Sequence, residues 1–151
     1  MPGKKVYLGA DHAGFTLKEK LKVWLEKRKI PYEDLGNTVL DVTDDYPDFA
    51  EKVAHKVVCE NSVGVLICGS AQGMAMAANK IGGVRAVLPY SLKEARLARE
   101  HNNANILCLS GWHMHYHRAA KLLEKFLTTP FSGEERHVRR LQKIRRLELA
   151  G

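Results

Sequence analysis

Short apolar runs alternate with amphipathic segments along the chain. Five of these runs have the length and composition of strands: 4–10, 32–35, 63–67, 84–88 and 105–109. The segments between and after them have helical periodicity or helix-forming composition, which predicts helices over 15–28, 46–59, 74–80, 92–100, 118–127 and from about 134. Ser91 followed by Glu94 is the pattern of a capping box at the start of one of these helices.

The alternation of strands and helices predicts an α/β fold. We expect a three-layer αβα sandwich around a five-stranded, parallel, Rossmann-like sheet, with an extra C-terminal helix at about 134–149. That last helix is expected to pack on the core or on a neighbouring subunit. At 151 residues the chain is long enough to bury a core, and we expect a single domain, 1–151.

Ligands of a parallel sheet bind beyond the carboxyl ends of its strands. Asp11 and His12 follow the first predicted strand, the segment 68–73 follows the third, and the loop 110–113 follows the fifth. The topology therefore gathers these residues at one edge of the sheet. The pair His101-Asn102 ends a helix just before the last strand, so it belongs to the opposite edge. This pair is either structural or is brought to the site by a second subunit.

The segment Cys68-Gly-Ser-Ala-Gln-Gly73 joins a buried strand to a helix. Its small residues would let several backbone N–H groups point into one concavity, at the positive end of the helix. A thiol at that point is expected to have a lowered pKa, because the thiolate would be stabilised. The alternative is that Cys68 is a small, buried apolar residue at the end of a strand.

Two groups of histidines also carry candidate chemistry. Asp11-His12 could bind hydroxyls or phosphate, or could cap a helix with His12 on the surface. His113, His115 and His117 alternate, so an extended segment would place all three on one side. A metal site there would need further ligands, and we expect none.

Arg136 and Arg140 are four residues apart and share a face of the last predicted helix, where they could clamp a phosphate. Val138, Leu141 and Ile144 give that helix a separate apolar face to pack. The alternative is a solvated basic helix, which is the usual role of a charge run.

Composition limits the remaining classes of function. The net charge of +7 fits nucleic acid or small phosphorylated ligands, but the basic residues lack interleaved aromatic residues, which argues against nucleic acid. No apolar run approaches the roughly 20 residues of a membrane span, so we expect no membrane partner. Cys59, Cys68 and Cys108 have neither paired nor metal-binding spacing, which favours free thiols and a reducing, cytoplasmic location.

A series of motifs follows in order along nearly the whole chain: Gly9-Ala-Asp-His-Ala-Gly-Phe15 with Leu17-Lys18, Asp45-Tyr-Pro47, Ile67-Cys-Gly-Ser70 with Gly73, Ala77-Ala-Asn-Lys80, Gly83-Val-Arg-Ala86, His101-Asn102 with Ala104-Asn105, and Gly133 with Arg136-His137 and Arg140. In order and spacing they resemble the type B ribose 5-phosphate isomerases and their relatives, the allose 6-phosphate and galactose 6-phosphate isomerases. The resemblance implies an aldose–ketose isomerase that works without a metal or organic cofactor. Related enzymes are dimers or dimers of dimers, whose sites take His101, Asn102 and the loop after strand five from the neighbouring subunit.

The resemblance also implies a role for each candidate residue. Cys68 matches the base that removes the proton from C2, Ser70 a hydroxyl that moves a proton between oxygens, and His101 the acid that opens the furanose ring. Contacts to the substrate are implied for the side chains of Asp11, His12, Tyr46, Asn102, Arg136 and Arg140, and for the N–H groups of Gly69, Ser70, Ala71, Gln72 and Gly73. Some relatives carry a glutamate base at the position of Met74, so Cys68 is the base that the resemblance leaves here.

The chain departs from the family's pattern within the site. Trp112 stands where the family usually has a phosphate-binding arginine, and Asn103 replaces a usual aspartate. Ala71 replaces a usual glycine, which disfavours a positive φ at that point. The resemblance as a whole implies isomerisation between ribose 5-phosphate and ribulose 5-phosphate, and these departures leave alternatives open. The alternatives are isomerisation of another sugar phosphate, such as allose 6-phosphate or galactose 6-phosphate, or binding of a sugar phosphate without catalysis.

Overall fold

The computed structural model describes residues 3–151 of the chain and contains a parallel β-sheet. Its strands are β1 (Val6–Ala10), β2 (Tyr32–Asp34), β3 (Val63–Cys68), β4 (Ala86–Val87) and β5 (Ile106–Ser110). Their order across the sheet is β2-β1-β3-β5-β4, and every neighbouring pair is parallel. The chain places β2 on one side of β1 and the later strands on the other side. The carboxyl ends of β1 and β3 therefore border the position where such sheets bind ligands.

Helices cover both faces of the sheet. They are α1 (Phe15–Lys27), α2 (Tyr46–Cys59), α3 (Gln72–Ala78), α4 (Leu92–Asn102), α5 (Tyr116–Thr128) and α6 (Glu135–Ala150). One apolar core lies between the sheet and α1, α4 and α5, and a second lies between the sheet and α2 and α3. The predicted three-layer αβα sandwich is confirmed. None of the helices within residues 3–151 is long and apolar enough to cross a lipid bilayer.

Alternation along β3 decides which way the thiol points. Val63, Val65 and Ile67 pack into the core under α1, α4 and α5, whereas Leu66 and Cys68 pack into the core under α2 and α3. Cys68 is the last residue of β3, so its side chain meets the start of α3, where Met74 is fully buried. The strand period thus places the thiol against the first turn of a helix.

The predicted elements are present in the described residues, with ends that differ by two residues or fewer. The capping box of α4 is confirmed, since the Ser91 hydroxyl accepts the N–H of Glu94 and the Glu94 carboxylate accepts the N–H of Ser91. The apolar face predicted for α6 is only partly packed, because Val138 and Ile144 remain exposed. They line a groove of about 580 Å³ between α6 and the turn at Gly82 and Gly83.

Candidate active site

The loops after β1, β3 and β5 are joined by backbone hydrogen bonds at the carboxyl edge of the sheet. The N–H of Asp11 donates to the carbonyl of Ile67 at 3.2 Å, and the N–H of Gly111 donates to the carbonyl of Cys68 at 2.8 Å. The Ser110 hydroxyl donates to the carbonyl of Gly69 at 2.6 Å. These bonds hold the three loops as one surface around the end of β3, as the topology predicts.

Cys68 lies beneath this surface, with its side chain 4% exposed. Burial raises the pKa of the Cys68 thiol above its ordinary value of 9.0, and the nearby charge of Asp11 raises it further. The backbone N–H groups of Met74, Ala71 and Ser70 act on the thiol in the opposite direction. The predicted N–H cradle therefore exists, but the predicted lowering of the thiol pKa is wrong. Burial of the sulfur outweighs the favourable dipoles of the helix start.

Ala71 has φ of 71°, in the left-handed region. The expectation that an alanine would disfavour a positive φ here is wrong for this chain. An alanine in this conformation costs about 1–2 kcal/mol, which the surrounding structure offsets. The side chain of Ala71 is buried, and its N–H belongs to the group that faces the thiol. The strained conformation is thus part of the cradle.

Two aromatic rings border the segment 68–73. A side chain built on Gly73 would meet the ring of Tyr46 at 2.5 Å, and one built on Gly69 would meet the indole of Trp112 at 2.6 Å. Glycine is therefore needed at both positions to let the rings approach. Tyr46 is half-buried at the start of α2, whereas the indole of Trp112 is 69% exposed. Together the rings form walls on either side of the cradle.

The remaining residues of the segment 68–73 lie at its rim. Ser70 is half-buried, and its hydroxyl accepts the N–H of Gln72 at 3.4 Å. Gln72 is exposed at the first position of α3. Ser70 and Gln72 are therefore more accessible to solvent than Cys68, which is buried.

Asp11 lies close enough to the thiol for its charge to act on it, and Asp11 and the adjacent His12 each have their own set of partners. The Asp11 carboxylate accepts the N–H groups of Ala13 at 3.0 Å and Gly14 at 3.2 Å, and burial raises the pKa of Asp11. The ring Nδ1 of His12 lies 2.8 Å from the carboxylate of Asp44, which raises the pKa of His12. Asp44 is a site residue that sequence reasoning missed. The available signal was its place in an acidic loop just before Tyr46.

The ligand-type atoms of Asp11, His12 and Asp44 lie within 4.8 Å of one another. This spacing is compatible with a cation, but both carboxylates already accept hydrogen bonds from protein groups. The alternating histidines do not form the one-sided row that an extended segment would give. His113 lies in a turn, and His115 and His117 lie at the start of α5.

A second cluster of predicted site residues lies where α4 ends. The rings of His101 and His137 stack with centroids 4.2 Å apart, and the Ser132 hydroxyl lies 2.9 Å from Nδ1 of His137. Burial lowers the pKa of His137, and the charges of His101, Arg136 and Arg140 lower it further. These arginines therefore stand near the histidine stack, and Asn102 is exposed beside it.

The two clusters occupy opposite edges of the sheet. Ser110 pairs with Cys68 at the carboxyl end, whereas α4 ends next to the start of β5 at Ile106. Four residues of strand separate these levels, or about 13 Å. We call the first cluster the thiol half-site (Cys68, Ser70, Asp11, His12, Tyr46 and Trp112). We call the second the histidine half-site (His101, Asn102, Arg136 and Arg140).

The loop after β5 is one point where the structure corrects an expectation. The resemblance implied that this loop serves the site of a neighbouring subunit. Instead, the indole of Trp112 lies against Gly69 of its own chain, and the backbone N–H of Trp112 donates to the carbonyl of Gly69 at 3.1 Å. The loop after β5 therefore belongs to the thiol half-site of the same chain.

The ligand-binding edge of this parallel sheet holds a thiol, an imidazole and a carboxyl group. These features define the class of α/β proteins that bind a small polar molecule. The family model described as Ribose/Galactose Isomerase matches residues 6–144, and the chain belongs to this family. The Probable ribose-5-phosphate isomerase B of Mycoplasma genitalium is 44% identical over 145 residues, which are 95% of each chain.

Further relatives agree with this assignment. Ribose-5-phosphate isomerase B of Mycobacterium leprae is 40% identical over 149 residues, which cover 98% of this chain and 92% of the relative. The crystal structure of the Mycoplasma genitalium isomerase with bound ribulose-5-phosphate superposes with a TM-score of 0.93, at 43% identity and over 97% of both chains. The family and the fold implied by the sequence motifs are thereby confirmed.

Proposed function

We propose that this chain interconverts ribose 5-phosphate and ribulose 5-phosphate, with Cys68 as the base. The observation that carries the proposal is the buried thiol at the end of β3, surrounded by the N–H groups of Met74, Ala71 and Ser70. The relative that is 43% identical holds ribulose-5-phosphate in its crystal structure, which supports the choice of substrate.

The chemistry needs one proton to move between neighbouring carbons. The Cys68 thiolate takes the proton from C2 of the open-chain aldose, and the C2–H electron pair forms the C1–C2 double bond of an enediolate. Negative charge develops on the oxygen at C1, where the N–H groups of the segment 69–73 stabilise it. Ser70 passes a proton from the oxygen at C2 to the oxygen at C1. Cys68 then returns its proton to C1, and the ketone forms at C2.

The raised pKa of Cys68 makes the thiolate the minor form at neutral pH, so the reaction proceeds through a small fraction of strongly basic thiolate. The chemistry also requires that the sulfur stay reduced, and the described cysteines are free thiols. A reducing compartment meets that requirement, and we assign the enzyme to the cytoplasm on this ground.

We infer further that a working site needs two copies of the chain. An acid at the ring oxygen and a base at C2 must both lie within about 3 Å of one sugar. His101 and Cys68 lie on opposite edges of their own sheet, about 13 Å apart along the strands. A second copy related by a two-fold axis would bring its histidine half-site to the first copy's thiol half-site, and the reverse. The exposed apolar residues Val138 and Ile144 of α6 suit burial against that copy.

In this arrangement the substrate's phosphate meets Arg136 and Arg140 of the second copy. Both side chains are exposed, and they share one face of α6 as phosphate ligands should. Trp112 supplies an aromatic wall beside the thiol and no positive charge. The second candidate is therefore isomerisation of a longer sugar phosphate, such as allose 6-phosphate or galactose 6-phosphate, because the wall at Trp112 reshapes the pocket.

Turnover of the three sugar phosphates tests the proposal, with Cys68→Ala as the control. We expect the highest kcat/KM with ribose 5-phosphate and no turnover by Cys68→Ala, which should still bind the substrate. A higher kcat/KM with a hexose 6-phosphate would instead support the second candidate, isomerisation of a longer sugar phosphate. Binding without turnover by the unaltered chain would make it a sugar-phosphate-binding protein.

A further inference from the structure

The loop 36–45 places an aspartate directly on His12. One carboxylate oxygen of Asp44 lies 2.8 Å from the ring Nδ1 of His12 and accepts the backbone N–H of His12 at 3.0 Å. The side chain of Asp44 is 8% exposed, whereas that of His12 is 39% exposed. Because Nδ1 is engaged, Nε2 is the ring nitrogen of His12 that remains for a ligand.

We propose that Asp44 is a positioning residue for the sugar-phosphate reaction, which acts by fixing His12 with Nδ1–H on its carboxylate and Nε2–H directed to a substrate oxygen. This proposal rests on the proposed function, since His12 is there a substrate contact. It adds a residue to the site and assigns each nitrogen of His12 a separate task.

Asp44 is itself held in place from the core. Its second carboxylate oxygen accepts the side-chain amide of Asn37 at 3.0 Å. The backbone carbonyl of Asn37 in turn accepts the ammonium group of Lys18 at 2.6 Å. Lys18 has a fully buried side chain and forms an ion pair with Asp34 at 2.9 Å. The position of Asp44 is thus set by a buried charge before any substrate arrives, which lowers the cost of ordering the site on binding.

The charges around His12 favour its protonated form. The hydrogen bond to Asp44 raises the pKa of His12, and the charges of Asp11, Asp44 and Asp41 raise it as well, against the opposing effect of burial. A protonated imidazole can donate from both nitrogens at once, to Asp44 and to an anionic substrate. The acidic loop therefore favours a positive charge on His12, at a site that has no arginine at position 112.

The substitution Asp44→Asn tests the proposal, because asparagine keeps the shape and removes the charge. We expect the pKa of His12, followed by NMR of the ring protons, to fall. We also expect the KM for ribose 5-phosphate to rise about tenfold at pH 8 while kcat changes little. Asp48→Asn in the exposed first turn of α2 is the matched control, and it should change neither quantity.

A double-mutant cycle shows whether Asp44 acts through His12. In a His12→Gln background, Asp44→Asn should have almost no further effect on KM. An undiminished effect in that background, or an unchanged pKa of His12 in Asp44→Asn, would overturn the proposal. Asn37→Ala leaves the charge of Asp44 in place and removes its anchor, and should raise KM by a smaller factor.

A failure of the proposed isomerase function can be distinguished from a failure of the positioning role of Asp44. If the unaltered chain did not isomerise ribose 5-phosphate, the NMR titration would still report on the pair Asp44 and His12. The dissociation constant of ribose 5-phosphate, measured calorimetrically, would then replace KM as the second readout. Equal dissociation constants for Asp44→Asn and the unaltered chain would overturn the positioning role independently of turnover.

Discussion

The Cys68 thiol should react slowly at neutral pH and become a fast nucleophile only in alkaline solution. Burial and Asp11 raise the thiol pKa above 9.0. The thiolate is therefore the minor form at neutral pH, and while the pH stays below the pKa, each unit of increase in pH raises the thiolate fraction about tenfold. Because the thiolate is the nucleophile, the rate of alkylation should rise by the same factor.

Asp11→Asn is the perturbation that separates charge from burial. The amide oxygen of asparagine can still accept the N–H groups of Ala13 and Gly14, so the loop should keep its shape. The negative charge that raises the pKa of Cys68 is lost. We expect the thiol pKa to fall and alkylation at pH 8 to accelerate by about tenfold or less. Burial of the sulfur is unchanged in Asp11→Asn, so the pKa of Cys68 should remain above its ordinary value.

The assay is the rate of iodoacetamide labelling of Cys68, followed by mass spectrometry from pH 6 to 10. Cys59 is exposed and would label first, so the chain should carry Cys59→Ser. Cys108 is 1% exposed and serves as the internal control for unfolding, since it should label only when the core opens. A labelling rate that is already level below pH 8 would refute the account of the thiol.

Two further substitutions test the walls and the phosphate ligands. Gly73→Ala should displace the Tyr46 ring and lower kcat/KM about a hundredfold, since a built side chain would meet that ring at 2.5 Å. A side chain built on Gly82 would come no closer than 3.9 Å to a carboxylate oxygen of Glu148, so Gly82→Ala should leave kcat/KM intact. Equal losses in both variants would contradict the role of Gly73. Arg136→Ala should remove a charge-assisted contact of about 1.5–3 kcal/mol and raise KM at least tenfold. An unchanged KM, or the same rise for Lys121→Ala on α5, would argue against the clamp.

The architecture follows from the sequence because its determinants are local. The alternation of apolar residues places Leu66 and Cys68 on one face of the sheet, and the side chains of Ser91 and Glu94 cap α4 within a few residues of each other. Such signals depend on periods and short spacings that the sequence displays directly. The edge of the sheet that carries the site follows from the same pattern.

The electrostatics of the site could not be predicted in this way. The sequence shows that Cys68 precedes a helix, which favours the thiolate, but the depth of burial that reverses the effect arises from packing of distant elements. The left-handed conformation of Ala71 likewise depends on the fold around it, since an alanine has no such preference. Asp44 contacts His12 across 32 residues of sequence, and no period connects the two.

The most direct test of the shared site mixes two inactive variants, Cys68→Ala and His101→Ala. Each variant alone lacks one half-site and should not isomerise ribose 5-phosphate. Random reassociation of equal amounts should give about half mixed dimers, each with one intact site and one doubly defective site. We predict recovery of about a quarter of the activity of the unaltered protein. A mixture no more active than its two components would contradict the claim that two chains complete one site.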